Sequence, residues 1–312
     1  MLSFFKTKSK QGWLAVVMNE SRADFVHVRR QADGLPQVML AESIEHSGAA
    51  AALLTGLRRP MELAGYRCTT LLLSGKYQLI QTEAAEGEPD EAREAVRWRL
   101  KDQVDFAVDS AAIDLLPIPV EGRTPQIFAA IAPESSVAPL IQAFQHAKVR
   151  LSAIDLPEFA QRNLAALFEQ EGRGVVTLMF DERDGLLTFT KDGELILSRR
   201  VETSARQLIS AESERRTMLF ERIALDLQRS LDNFDRVYSS VPLSKVLVAP
   251  IPGVDGFVDY LRSNLTLPVV AIDLATVLDF SAVPALLDPL RQFQCLRAIG
   301  AALRDETTKA AA

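Results

Sequence analysis

Two predicted hairpin tips carry the polar side chains with the clearest potential for chemistry: Asn19, Glu20 and Ser21 in the first, and Asp181, Glu182 and Asp184 in the second. A cradle for phosphate needs glycines, because backbone N–H groups must approach the anion closely. The first tip has no glycine, and the second has only Gly185 at its far end. Three carboxylates at one tip would repel a polyphosphate unless a divalent ion lay between them. Asp181 and Asp184 are therefore either metal ligands or ordinary solvated turn residues.

No other catalytic or metal-binding constellation is readable. The three histidines, His27, His46 and His146, are scattered and have no motif around them. The sequence contains no P-loop, dinucleotide fingerprint or CxxC pair. Cys68 and Cys295 lie in apolar surroundings and are predicted to be buried free thiols. We therefore predict no catalytic residue and no metal site.

Each hairpin tip belongs to a three-strand meander that leads into a helix. The strands of the first meander are predicted at 13–18, 24–30 and 37–42, and those of the second at 175–181, 186–191 and 194–201. In the second meander, the turns Asp184-Gly185 and Asp192-Gly193 are expected to supply the positive φ of tight hairpins. This repetition predicts a duplicated core, with the segment 174–201 at its structural centre.

The segment between the meanders predicts an insertion. A helix is expected at 47–64, broken or kinked by Pro60, followed by a buried strand at 69–74. Residues 76–148 then read as strand, helix, strand, strand, helix, and after the second meander a long helical stretch covers 203–238. In chain order, the predicted division is 1–75 as the first subdomain, 76–148 as an inserted α+β subdomain, 149–172 as a return to the first, 173–288 as the second subdomain, and 289–312 as a final helix and tail.

Composition narrows the classes of protein further. The chain has 312 residues, of which 48% are hydrophobic, and its formal net charge is −6. An acidic chain without a long Lys/Arg block is not a general nucleic-acid binder. No run of eighteen apolar residues exists, so no transmembrane segment is expected. Near the N-terminus, Leu2, Phe4 and Phe5 precede Lys6, Lys8 and Lys10, which fits either a frayed tail or a weak contact with anionic lipid.

Five segments, in this order and spacing, carry a family resemblance: FFKTKSKQGWLAVVM, EAREAVRWRLKDQVDFAVDSAAIDLLPI, VRLSAIDLPEFAQRNLAALF, KDGELILSRRV and ERIALDLQRSLDNFDRVYSSVPLSKVLVAPIPGVDGFVDYLRSNLTLPVVAID. They cover most of the chain, which resembles the PilM family of type IV pilus assembly proteins. Within that family it is most similar to the MshI proteins of mannose-sensitive haemagglutinin (MSHA) pilus systems. The family is related to the cell-division protein FtsA and to the cytoplasmic part of the secretion protein GspL. The resemblance implies an α/β, actin-like fold, that is, a duplicated ribonuclease H-like core with a small inserted α+β subdomain.

The chain departs from the family at the nucleotide site. Active relatives carry Asp-x-Gly in the first hairpin of each meander, whereas this chain reads Val17-Met18-Asn19 in one and Met179-Phe180-Asp181 in the other. The relatives also have a Gly-Gly turn where this chain reads Ala249-Pro250. The corresponding positions, expected to form a degenerate and inactive nucleotide site, are Asn19, Glu20, Ser21, Asp181 and Ala249. We therefore expect no cofactor and no enzymatic activity. The alternative is an ATP- and Mg-binding protein whose nucleotide state controls assembly.

The resemblance also implies a partner, the N-terminal cytoplasmic tail of a bitopic inner-membrane protein of the PilN type (MshJ-like). The family's tail groove lies between the first subdomain and the insert, and the expected contacts here are Trp98, Lys101, Ile113 and Leu115. Trp98 could instead belong to the core of the insert. The implied function is a cytoplasmic scaffold, recruited to the inner membrane by that partner, with the assembly ATPase as a further candidate partner. A subunit that self-assembles without nucleotide is a third possibility.

Overall fold

The computed structural model describes residues 10–120 and 124–305. Its first subdomain is built on a five-stranded sheet made of β1 (Trp13–Met18), β2 (Arg22–Arg29), β3 (Gln37–Glu45), β4 (Arg67–Leu71) and β8 (Leu151–Asp155). The strand order is β3-β2-β1-β4-β8. The first three strands pair antiparallel, whereas β1, β4 and β8 pair parallel.

The second subdomain repeats this topology. Its strands are β9 (Gly174–Phe180), β10 (Gly185–Lys191), β11 (Glu194–Val201), β12 (Leu243–Val248) and β13 (Val269–Ala271). The order β11-β10-β9-β12-β13 again places an antiparallel meander beside two parallel strands. The duplicated core predicted from the two meanders is therefore confirmed.

The insert contributes a smaller antiparallel sheet, formed by β5 (Gln78–Glu83), β6 (Ala112–Ile118) and β7 (Gln126–Ala132) in the order β5-β7-β6. The helices are α1 (Ala50–Leu57), α2 (Pro89–Arg99), α3 (Glu134–His146), α4 (Pro157–Ala165), α5 (Ala205–Ser210), α6 (Ser213–Val237), α7 (Phe257–Asn264) and α8 (Pro289–Ala302). The helix α2 covers the small sheet through Val96, and Leu100, directly after the helix, packs in the same core; both are fully buried. In the part of the chain that the structure describes, no helix is long and apolar enough to cross a membrane.

Two helices tie the subdomains together. The helix α4 follows β8 but packs on β9, β10 and β11, whereas α8 returns to pack on β1 and β2. They touch at Gly300, where a Cβ atom would lie 2.3 Å from the carbonyl oxygen of Ala160. The Asn163 amide donates a hydrogen bond to the Gly300 carbonyl (3.0 Å) at the same crossing. The close approach of the α4 and α8 backbones therefore depends on the absence of a side chain at Gly300.

Replacing Gly300 by alanine is expected to lower the free energy of unfolding by about 1–3 kcal/mol, as overpacking of a tight contact does. Urea unfolding of the purified chain measures the effect. Gly56→Ala in α1 is the matched control, because nothing lies within 4 Å of its Cβ position. That variant should be neutral or slightly stabilising, since alanine favours helix more than glycine. Equal effects of the two variants would contradict the tight crossing.

Several predicted elements differ from the observed ones. The helix expected at 47–64, with a break or kink at Pro60, is observed as α1, which starts later, at Ala50, and ends at Leu57 before that proline. The stretch expected at 203–238 is divided into α5 and α6 by the extended backbone of Ala211 (φ −73°, ψ 137°). A capping box starts α5, in which Ser204 and Gln207 exchange side-chain-to-backbone hydrogen bonds. Such a cap favours a separate short helix.

The two turns of the second meander also differ from each other. Asp192 and Gly193 both have positive φ (54° and 74°), as predicted for a tight hairpin. Gly185 instead lies within β10 without a positive φ, so the prediction for its turn was wrong. The absence of a side chain at Gly185 leaves room for the Phe180 ring, because a Cβ atom there would lie 2.7 Å from that ring.

Candidate functional site

The two hairpin tips meet face to face, and ion pairs join them. Arg183 of the second tip places its Nη2 atom 2.5 Å from Oε1 of Glu20 in the first. Arg22, at the start of β2, reaches back to Glu182 with an Nη1–Oε1 distance of 3.6 Å. Asn19 stabilises its own tip, because its Oδ1 atom accepts hydrogen bonds from the backbone N–H groups of Ser21 and Arg22. Both tips are thus held by protein groups of opposite charge.

Arg297 of α8 adds a third connection to this cleft. Its guanidinium forms an ion pair with Oδ2 of Asp181 and lies 3.7 Å from Oδ1 of Asp184. The other carboxylate oxygen of Asp181, Oδ1, accepts hydrogen bonds from the backbone N–H groups of Arg183 and Asp184, with N–O distances of 2.7 and 2.8 Å. Asp181 and Asp184 are therefore neither simple solvated turn residues nor a ligand pair facing open space. Among the described residues, no group of three or more His, Cys, Asp or Glu side chains could hold a metal ion.

The remaining space at the predicted nucleotide positions is divided. The cavity at the tips, lined by Asn19 and Asp181 among others, has a volume of about 90 Å³. Ala249 lines a separate cavity of about 250 Å³. Phe293 and Leu296 of α8 border both cavities, so this helix lies between them. Glu20 is engaged by Arg183, and Ser21 lines neither cavity.

The carboxylate of Asp24, beside the cleft, shows how burial controls charge there. Asp24 lies at the cleft wall and is only 5% exposed. Burial raises its pKa, and hydrogen bonds from Ser43 and Arg22 partly oppose that rise. The hydroxyl of Ser43 also lies 3.6 Å from Sγ of Cys295. Cys295 and Cys68 are both buried and free, as predicted.

A partly buried polar network connects the insert to both subdomains. The Tyr77 hydroxyl donates to Oε2 of Glu158 on α4 at 2.5 Å. Arg200 of β11 donates to Oε1 of Glu158 (2.8 Å) and to Oδ2 of Asp184 at the second tip (2.7 Å). Burial, together with the neighbouring Glu158 carboxylate, raises the pKa of Tyr77, so its hydroxyl keeps its proton. Burial opposes the charge of Arg200, but Tyr77, Glu158 and Asp184 outweigh it and raise the pKa of Arg200.

An apolar groove lies between the insert and the first subdomain. It has a volume of about 200 Å³, and its lining includes Ala112, Leu116, Leu156 and Phe159. Its charged lining residues are Asp114 and the pair of Arg304 with Asp155, which lie 2.7 Å apart. Both strands that border the groove, β6 and β8, are edge strands of their sheets.

The groove continues along the open edge of β8. Here a second hollow of about 450 Å³ lies between the strand and α3. Its lining includes Ile141 and Phe144 of α3 and residues 149–154. Ile154 lines both hollows, so they adjoin at this residue of β8. We call the two hollows together the β8 groove.

The predicted partner-binding residues are distributed over two surfaces. Ile113 lines the β8 groove, but Trp98, Lys101 and Leu115 do not. Leu115 packs against the core of the insert. Trp98 is 51% exposed on α2, where its indole N–H donates to Glu94 and Lys101 lies 5.2 Å from its ring centroid. Trp98 is therefore not a core residue of the insert.

The sequence alone does not reveal four residues that form ion pairs or hydrogen bonds in the cleft and in the polar network beside it: Tyr77, Glu158, Arg200 and Arg297. Each is an ordinary residue in its own segment, and its partners are distant along the chain. No local spacing connects Arg297 to Asp181. Only the packing of α8 on the first sheet brings the two together.

Comparison with solved structures defines the class of fold. A chain of a PilM-PilN type IV pilus biogenesis complex superposes with a TM-score of 0.74 at 17% identity, covering 94% of this chain and 98% of that chain. A Bacteroides thetaiotaomicron protein with actin-like ATPase fold and unknown function gives a TM-score of 0.50 at 11% identity, covering 92% and 99%. The chain thus has an actin-like α/β fold. No protein-family model matches the sequence, and no curated protein matches it significantly.

Proposed function

We propose that this protein is a cytoplasmic scaffold of a type IV pilus assembly machine of the MSHA type. In this proposal it docks the N-terminal tail of a PilN-like (MshJ-like) inner-membrane protein, which recruits it to the membrane face. The likeness to a chain of the PilM-PilN complex over nearly the whole length of both chains supports this reading. The sequence resemblance to the PilM family and its MshI branch points the same way. The assembly ATPase stays a further candidate partner.

The observation that carries the proposal is the β8 groove. Its two bordering edge strands offer unpaired backbone N–H and C=O groups, which suit an extended peptide that adds as a strand. Its apolar lining offers room for the peptide's side chains, and the Asp155–Arg304 pair offers polar anchors. Ile113 belongs to this surface. Trp98 on the outer face of α2, Lys101 just after that helix, and Leu115 stay candidate contacts for the partner.

Co-elution in size-exclusion chromatography tests the docking. The partner's cytoplasmic tail is fused to a carrier protein and mixed with the full chain, and a scrambled tail on the same carrier is the control. We expect the native tail, but not the scrambled one, to shift the chain to an earlier elution volume. Separate elution of chain and native tail at concentrations well above micromolar would contradict the proposal.

We further infer that the protein works without nucleotide chemistry. The cavity at the hairpin tips, about 90 Å³, is far below the roughly 300–1,000 Å³ of small-molecule pockets. A polyphosphate would have to displace Arg183 from Glu20 and Arg297 from Asp181. It would also face a first tip without any glycine for close backbone approach. The residues present therefore do not fit a magnesium-bound nucleotide.

The second candidate function is an ATP-binding protein whose nucleotide state controls assembly. The actin-like ATPase fold of a structural neighbour and the cavity beside Ala249 favour it. Thermal melting with Mg-ATP discriminates between the two candidate functions, since a ligand that binds the native state raises the melting temperature. At a concentration a hundredfold above Kd, the ligand stabilises the native state by about 2.7 kcal/mol. We expect no shift at millimolar Mg-ATP. A clear stabilisation would favour the second candidate.

A further inference from the structure

Cations gather at one end of the first sheet. We call this region the basic end and define it by eight residues: Lys10, Arg29, Arg30, Arg58, Arg59, Arg67, Lys148 and Arg150. The topology explains why they meet. The parallel strands β1, β4 and β8 all begin at this end, β2 finishes there, and α1 and α3 both run toward it.

Backbone contacts confirm that these segments are neighbours. The N–H group of Lys10 donates to the Gly65 carbonyl at 2.9 Å, and that of Cys68 donates to the Arg150 carbonyl at 3.1 Å. Arg67 lies over the Trp13 ring, 3.9 Å from its centroid. The basic end is therefore one continuous surface built from segments that are far apart in sequence.

The charge of this surface is opposite to that of the whole chain. The net charge of the chain is −6, yet the segments 10, 29–30, 58–67 and 146–150 hold eight cations and one carboxylate, Glu62. Glu62 pairs with Lys10 at 2.9 Å. Asp33 follows β2, and Asp305 follows α8. Arg59, Lys148 and Arg150 are exposed, and no carboxylate within residues 10–120 and 124–305 pairs with them.

We propose that the basic end docks on the surface of an anionic lipid bilayer. Clustered lysines and arginines are attracted to the negative surface of such a membrane. In the sequence, Lys10 is preceded by Leu2, Phe4, Phe5, Lys6 and Lys8. These residues, on which the predicted lipid contact falls, lie outside the described part of the chain. Apolar side chains beside lysines favour a bilayer over nucleic acid, because nucleic acid offers phosphates but no hydrocarbon.

This surface would also orient the scaffold. The β8 groove begins at Val149 and Arg150, beside the basic end, and runs away from it toward Asp155. A bilayer at the basic end would therefore place the emerging tail of a membrane protein at the entrance of the groove. Lipid docking itself needs no partner, so it can be tested independently of the proposed function.

Vesicle flotation of the full chain, without any partner, tests the proposal. The vesicles contain phosphatidylcholine alone or phosphatidylcholine and phosphatidylglycerol in equal amounts. The test variant carries Arg59→Glu, Lys148→Glu and Arg150→Glu. The matched control carries Arg206→Glu, Arg215→Glu and Arg229→Glu, which make the same charge change at exposed positions of the second subdomain.

We expect the wild-type chain to float with the phosphatidylglycerol vesicles but not with phosphatidylcholine alone. Reversal of three cations at the basic end should weaken binding at least about a hundredfold, because each contributes on the order of a fivefold gain near an anionic surface. The control variant should bind within about threefold of wild type. Failure to bind phosphatidylglycerol vesicles, an equal loss in the control, or tighter binding to duplex DNA than to the vesicles would overturn the proposal.

Discussion

Replacing Arg200 by methionine will lower the free energy of unfolding by about 2–3 kcal/mol, because it leaves the Glu158 carboxylate buried without its cation. The Glu158 side chain is 4% exposed, and Arg200 Nη2 lies 2.8 Å from its Oε1 atom. Removing one partner of a fully buried pair costs about 3–5 kcal/mol. The value here is lower because 36% of the Arg200 side chain is exposed. Urea unfolding of the purified variant measures the loss.

Two comparison variants separate this cause from a general effect of losing an arginine. Arg199→Met removes the neighbouring arginine, whose guanidinium donates a hydrogen bond to the Ser230 hydroxyl, and should cost less than about 1 kcal/mol. Adding Glu158→Gln to Arg200→Met removes the unpaired charge and should restore part of the lost stability. A double variant less stable than Arg200→Met alone would show that an unpaired carboxylate is not the cause.

Replacing Ala112 by arginine should weaken binding of the partner's tail peptide at least about a hundredfold, which corresponds to about 2.7 kcal/mol. Ala112 is exposed on β6 and lines the β8 groove. A long side chain there can occupy the space meant for the peptide without disturbing the core. Isothermal titration measures the affinity, and an unchanged melting temperature would confirm that the variant is folded.

Trp98→Ala is the matched control for this prediction and also tests the alternative contact surface. Trp98 lies on the outer face of α2 and does not line the groove. If the groove binds the tail, this variant should keep its affinity within about threefold. Truncation of a central interface residue costs about 2 kcal/mol or more. A large loss with Trp98→Ala and none with Ala112→Arg would assign the tail to the α2 surface.

The fold could be predicted because its signals are local. The positive φ of Asp192 and Gly193 follows from the Asp-Gly dipeptide, and the strands around that turn follow from their apolar runs. Two meanders with the same plan then indicate a duplication. A single residue fixes a helix boundary only approximately: α1 ends at Leu57, three residues before Pro60. The crossing at Gly300 has no local signature at all.

The state of the cleft could be predicted only in part. The sequence shows that the first tip has no glycine, and this absence indicates that the tip does not form a phosphate cradle. The ion pairs of Arg183 with Glu20 and of Arg297 with Asp181 are not visible, because they depend on how the subdomains and α8 meet. The same holds for the basic end, whose cations are scattered along the sequence. Long-range charge contacts of this kind need the three-dimensional arrangement.

The measurement that tests the central claim most directly is isothermal titration of the partner's tail peptide into the wild-type chain, with and without Mg-ATP. The proposed scaffold predicts one binding site per chain, an affinity in the micromolar range, and the same affinity in both conditions. Absence of binding up to millimolar peptide would contradict the docking function. Binding that occurs only with Mg-ATP would contradict a scaffold that works without nucleotide.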